Sequence, residues 1–242
     1  MPIGVPKVPN DDNDYSGVPA YFEYDGDDDY ASFIKKKKEK DTDMDLMHYL
    51  SATGRIFLFE ELTFEVTEKI MGLMLLVDSE EDIDKITLYI NSPGGHVMNG
   101  ISLHDTMKLL DKRICTVALG QAASTAALVL ASGTKRHRAA SENSRVMLHQ
   151  PKAKKSPEYH LAGAMIGDAE YVKTLRVSVA KLFSEMGTQP WTTILADMNR
   201  DVFMSAAEAI EYGIVDKIFK NEEGKEEEEK TNNESTYTDR IW

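Results

Sequence analysis

The chain is short of cysteine, of basic charge and of long apolar runs, and each shortage removes a class of function. Its one cysteine, Cys115, excludes an internal disulfide and any cysteine-based zinc cluster. Set in the apolar run ICTVAL, it reads as a small buried hydrophobe. Lys and Arg number 28 against 41 Asp and Glu, a net charge of −13. No basic surplus is left to track a phosphate backbone, so nucleic acid is not expected as the main partner. No apolar stretch approaches the ~20 residues that cross a bilayer, so no membrane partner is expected either. The opening MPIGVPKVPNDDNDY lacks an apolar h-region and an Arg/Ser-rich amphipathic pattern, and nothing in it marks a signal or transit peptide. Neither GxxxxGK(S/T) nor GxGxxG occurs, which counts against a nucleotide site. His48, His96, His104, His137 and His160 show no metal-ligand spacing with Cys or carboxylates. Structural or surface roles are expected for all five, with no metal, and only His96, beside a glycine pair, merits following.

What is present is an ordinary globular composition over 242 residues, 42% hydrophobic and 29% charged. Residues 10–45 are acidic and then lysine-rich (KKKKEK, 35–40), as expected of a mobile arm or surface insertion, and 221–242 make an acidic tail expected to be disordered. Between them, strand and helix patterns alternate. RIFLF (55–59), KITLYIN (85–91), ICTVAL (114–119) and RVMLHQ (145–150) read as strands, and 64–78, 97–111 and ALVLAS as helices. This alternation predicts a mainly parallel sheet in an α/β domain. Ser156-Pro157 starts a helix of about 30 residues, roughly 45 Å long. That is too long for a small domain to cover, so it is expected to project and pack against another subunit. Ser205-Ala-Ala-Glu208 is a capping box, with Gly213 as the stop.

Acyl transfer to serine needs a nucleophile, a base, a carboxylate that orients the base, and hydrogen-bond donors for the oxyanion. GQAASTAA (120–127) sets Ser124 after a strand and at the first turn of a helix, where backbone N–H groups are free and the dipole favours negative charge. The small neighbours would let a substrate backbone approach. Taken alone, the same stretch reads more readily as helix packing. His149 ends a strand, where functional groups collect in parallel α/β sheets. Asp201 precedes the capped helix, with Asp197 and Asp216 as competitors for the carboxylate role. In NSPGG (91–95), Pro93 fixes φ and Gly94-Gly95 permit close approach to bare backbone. The turn by itself suits a phosphate cradle or an oxyanion hole.

INSPGG (90–95), GQAAS (120–124), SRVMLHQP (144–151) and RDVFMSAAEAIEYGIVD (200–216), in that order, resemble the Clp protease proteolytic subunit family of self-compartmentalising serine peptidases. The opening MPIGVPKVP resembles its plastid-encoded branch. The resemblance implies a ClpP/crotonase-like spiral of βα units with a projecting long handle helix. It divides the chain into an N-terminal arm and axial-loop region (1–53), a peptidase domain (54–220) and the acidic tail (221–242). It further implies Ser124 as nucleophile, His149 as general base, Asp201 as its orienting carboxylate, and the backbone N–H groups of Gly95 and Thr125 as the oxyanion hole. Position 125 is threonine where methionine is usual in that family, and KAKKSP (152–157) is unusually basic for a segment near the substrate cleft. The implied partners are other proteolytic-core subunits, in heptameric rings stacked as a tetradecamer, and an AAA+ unfoldase that delivers unfolded polypeptides. ATP would be consumed by the unfoldase and no cofactor by this chain, and the implied location is the chloroplast stroma. Two other readings are a non-catalytic structural ring subunit and a crotonase-type enzyme acting on acyl-CoA. The intact serine–histidine–aspartate set argues against both, and no basic cluster stands ready for CoA phosphates.

Overall fold

The computed structural model describes residues 7–9, 43–152 and 162–219. The expectations for the acidic and lysine-rich insertion, for the helix start at Ser156-Pro157 and for the tail lie outside these residues. Strands β1 (Lys7–Pro9) and β2 (Asp43–Asp45) pair antiparallel, Lys7 opposite Asp45 and Pro9 opposite Asp43. The two ends of the 10–42 segment are thereby held side by side. Helix α1 (Leu46–Ala52) leads on into the main sheet.

β3 (Arg55–Leu58), β4 (Lys85–Ser92), β5 (Arg113–Ala123), β6 (Arg138–Ser141) and β9 (Lys217–Phe219) form a parallel array in that order. β5 forks. Its Thr116–Ala118 stretch pairs with β6, while Gln121–Ala123 pairs with β7 (Arg145–Leu148), to which β8 (Val202–Ser205) adds antiparallel. The fork turns on Gly120, whose φ is +87°. There the β4–β5 register slips between Ile90 and Ser92, and Asn91 Oδ1 accepts the Gln121 N–H at 3.2 Å. A β-bulge with glycine at its left-handed position bends a strand in this way.

Helices cover one face of the sheet. α2 (Phe64–Asp78) starts at Thr63, whose hydroxyl accepts the Val66 N–H at 3.3 Å, and it buries Ile70, Met74 and Val77, one face at helical spacing. α3 (Val97–Leu109) and α4 (Thr125–Ala131) pack beside it, and in β4 the alternate residues Ile86, Leu88 and Ile90 are fully buried beneath them. Among the described residues the opposite face is thinly covered. Phe57 stacks on Tyr89 at 5.3 Å there, and Phe59 meets Phe57 edge-on at 5.4 Å. Cys115 sits opposite Thr87 on this second face and is half-buried, not the buried hydrophobe expected, because the alternation of β5 turns it away from the helices.

Helix α5 (Ala162–Met186) is about 37 Å long. Its C-terminal half buries Val179, Ala180, Phe183 and Met186, whereas Met165, Ile166 and Tyr171 stand more than half exposed. A Cβ added at Gly163 or Gly167 would meet nothing within 4 Å. The first half of the helix therefore projects from the domain, as its length predicts. α6 (Trp191–Asp197) follows, then β8 and α7 (Ala206–Tyr212), which has both halves of the capping box and a left-handed Gly213 at its end.

Two buried polar groups tie these layers together. The Arg138 side chain, 5% exposed, forms a two-pronged pair with Asp216 (Nη2–Oδ1 2.6 Å, Nε–Oδ2 3.0 Å) and donates through Nη1 to the carbonyls of Met186 and Ala131. His104 on α3 contacts Ser132 at the end of α4, with Nδ1 2.8 Å from Oγ. Ser132 spends its own proton on the Leu128 carbonyl at 2.7 Å, so His104 must donate through Nδ1–H. Burial, and then Lys108, lower the His104 pKa, outweighing Asp105 and Glu185. A histidine buried neutral takes up its proton more readily when unfolded, so its stabilising share is full above the ordinary value of about 6.5 and is lost as pH falls below it. Between pH 7 and pH 5 the urea midpoint should fall less in His104→Gln than in wild type. Equal falls in the two would show that this histidine does not contribute.

Candidate active site

The end of β5 creates the site. Ser124 donates its backbone N–H to the Met147 carbonyl on β7 at 2.8 Å, which fixes the chain as it leaves the sheet. It then turns at φ 57°, ψ −123°, one of two non-glycine residues with positive φ among those described, and α4 begins at the next residue. Such a backbone costs about 1–3 kcal/mol and persists only where its surroundings enforce it. Here the sheet and a packed bed of Ala122, Ala123, Ala126 and Ala127, all wholly buried, enforce it. Those alanines are core packing; they do not line a clearance for substrate, as the sequence suggested.

His149 follows the last residue of β7, and Asp201 precedes the first residue of β8. Because these strands pair antiparallel with Leu148 opposite Val202, two residues far apart in sequence become neighbours. Asp201 Oδ1 lies 3.0 Å from His149 Nδ1, and His149 Nε2 lies 2.9 Å from Ser124 Oγ. A carboxylate only accepts, so the proton of neutral His149 sits on Nδ1 and Nε2 is left to accept from the Ser124 hydroxyl. The competing aspartates are occupied elsewhere. Asp216 holds Arg138, and Asp197 accepts from the Tyr212 hydroxyl at 2.9 Å. Burial, with help from Asp197, pushes the Tyr212 pKa well up.

The NSPGG turn is packed directly against this relay. Ser92 Oγ donates to the Glu60 carbonyl and accepts the Gly94 N–H, Leu62 N–H donates to the Gly94 carbonyl, and Asn99 Nδ2 donates to the Leu62 carbonyl. A Cβ on Gly95 would lie 2.3 Å from the Leu62 oxygen, and one on left-handed Gly94 would lie 2.9 Å from Ser124 Cβ. Only glycine allows the turn to come this near the serine. Gly95 N–H donates to Thr125 Oγ1 at 2.7 Å. Thr125 opens α4, so its own N–H has no carbonyl one helical turn back to receive it. Beside Ser124 and His149 lies an apolar recess walled by Val97, Leu128, Leu148, Pro151, Val179 and Phe183. Sequence patterning reads Val179 and Phe183 as one stripe of a long helix, with no sign that the stripe ends at the site. His96, at the N-cap of α3, is exposed and caps nothing with its side chain. Among the described residues no group of three His, Cys, Asp or Glu could hold a metal.

A hydroxyl, an imidazole and a carboxylate in series, with backbone N–H groups beside the hydroxyl, make up the apparatus of serine hydrolases. The chain belongs to the Clp protease family, a family of peptidases built as oligomeric proteolytic cores, whose sequence model matches residues 37–222. It is 37% identical over 231 residues to an ATP-dependent Clp protease proteolytic subunit of Pelargonium hortorum, covering 94% of this chain and 99% of that one. Proteins of the same description from Oltmannsiellopsis viridis (36% over 218 residues) and Lotus japonicus (37% over 220) each align with 90% of this chain and 98% of their own length.

Proposed function

We propose that the chain is a catalytic serine endopeptidase subunit that cleaves unfolded polypeptides to short peptides. The observation that carries this reading is the continuous relay from Asp201 through His149 to Ser124, at 3.0 and 2.9 Å. Ser124 Oγ attacks a peptide carbonyl as His149 Nε2 takes its proton, and Asp201 keeps His149 in the required tautomer. The oxyanion is held by the backbone N–H groups of Gly95 and Thr125. The imidazolium returns the proton to the leaving amine, and water, activated by the same histidine, then releases the acyl group from Ser124. The apolar recess takes a side chain of the substrate. No step calls for a cofactor.

The projecting half of α5, with Met165, Ile166 and Tyr171 exposed, supports packing against a neighbouring subunit. The assembly we infer is two stacked heptameric rings of proteolytic-core subunits, fed by an AAA+ unfoldase that consumes the ATP. The MPIGVPKVP opening and relatives in Lotus japonicus and Pelargonium hortorum support a plastid location. The test is to treat the native assembled particle with a fluorophosphonate and map the adduct by mass spectrometry. The adduct is expected on Ser124, and its absence from this residue overturns the assignment.

A further inference from the structure

We propose that the Thr125 side chain is a built-in stopper of the oxyanion hole, holding one of the two donors closed until substrate displaces it. The proposal rests on the catalytic reading above and adds a control on the same site. The Gly95 N–H has a single proton, and that proton is directed at Thr125 Oγ1, 2.7 Å away. An oxyanion forming on Ser124 can use this donor only by taking it from the hydroxyl. The hydroxyl is not free to swing aside. Thr125 is 5% exposed. A Cβ on Gly100 would stand 3.1 Å from Thr125 Cβ and 3.5 Å from its methyl, and one on Gly94 would stand 2.9 Å from Oγ1, so glycines wall the side chain on two sides. The hydroxyl's remaining contact is a long one, 3.4 Å to the Gly95 carbonyl. Once displaced it would be a buried hydroxyl with little to bond, a cost charged to every acylation.

The backbone N–H of Thr125 and its side chain therefore act in opposite senses. The first awaits the oxyanion, and the second competes with it for the other donor. Removing only the acceptor should release that competition. A typical net hydrogen bond corresponds to a factor of about five to ten in rate. Thr125→Val keeps the shape and lacks the acceptor, Thr125→Ala lacks it at smaller volume, and Thr125→Ser retains it. In the assembled particle, Val or Ala should raise kcat on a short peptide about five- to tenfold with KM unchanged. A peptide boronate, which forms a tetrahedral adduct on Ser124, should bind more tightly by the same factor. Thr125→Ser, which keeps the acceptor, should not show the tighter boronate binding. Either variant suffices if the other fails to assemble. A kcat that is unchanged or lower in an assembled Val or Ala particle overturns the proposal and leaves the catalytic reading standing. If neither wild type nor variants take a fluorophosphonate at Ser124, the catalytic reading falls and takes the stopper with it.

Discussion

Ser124→Ala should reduce peptide hydrolysis by this subunit to background, a loss of about 10⁶-fold, and His149→Ala should cost nearly as much. The equality follows from the chemistry. A serine hydroxyl without its base is a poor nucleophile, and a base without the hydroxyl has nothing to activate, so each deletion removes the same step. The double variant should be no worse than either single one. Asp201→Asn should cost less, about 10³- to 10⁴-fold, since the amide can hold His149 in place but favours the wrong tautomer. Asp201 is also about half exposed, which leaves water to replace part of what it does. The measurement is peptide turnover by assembled particles, with the mass of the adduct on this chain separating it from neighbouring subunits. Independent, multiplying losses for Ser124 and His149 would mean that the two do not act in one step.

Asp216→Ala should destabilise the domain by about 3–5 kcal/mol, the cost of stranding a buried guanidinium. Arg138 is almost wholly enclosed, and its other two contacts are carbonyls that cannot balance its charge. Burial alone would raise the Asp216 pKa, but the hydrogen bonds and charge of Arg138 outweigh it and hold the carboxyl below its usual range. With the folded value depressed, the pair's contribution is complete above the unfolded value of about 3.9 and is lost as pH falls through the lower folded value. Wild type should thus lose stability steeply in acid below about pH 4, and Asp216→Ala should begin lower and fall less. Urea midpoints of the two proteins at pH 7 and across the acid range check both statements. A change under 1 kcal/mol at pH 7 would place the pair among weak surface bridges.

Much of this architecture is legible in the sequence where one pattern is sustained. α2 runs over 64–78 as its apolar spacing predicts, and the capping box before α7 marks that helix to the residue. Legibility fails where an element is short and its composition neutral. β6 is only RAAS, with a buried arginine at its start, and β8 is four residues between an aspartate and a helix cap. β5 is readable as ICTVAL, but it continues through GQAA because a bulge at Gly120 rejoins it to a different neighbour, and no local preference encodes that choice. The same limit applies at the site. Ser124, His149 and the glycine pair can each be located from strand ends and turns. That Asp201, and not Asp197 or Asp216, faces His149 depends on the β7–β8 register, a long-range property. The bond from Gly95 to the Thr125 hydroxyl was hidden for a simpler reason. It joins a turn to the start of a helix across thirty residues of sequence, and threonine in a helix's first turn carries no unusual pattern.

The pairing of β1 with β2 bears on how this protein can vary. With Pro9 opposite Asp43, backbone pairing fixes the two ends of the connection between them. Closing a longer excursion is thermodynamically cheap, about 0.6 kcal/mol for each doubling of length. Lengthening or shortening the connection between Pro9 and Asp43 is thus expected to cost the β1–β2 pairing little.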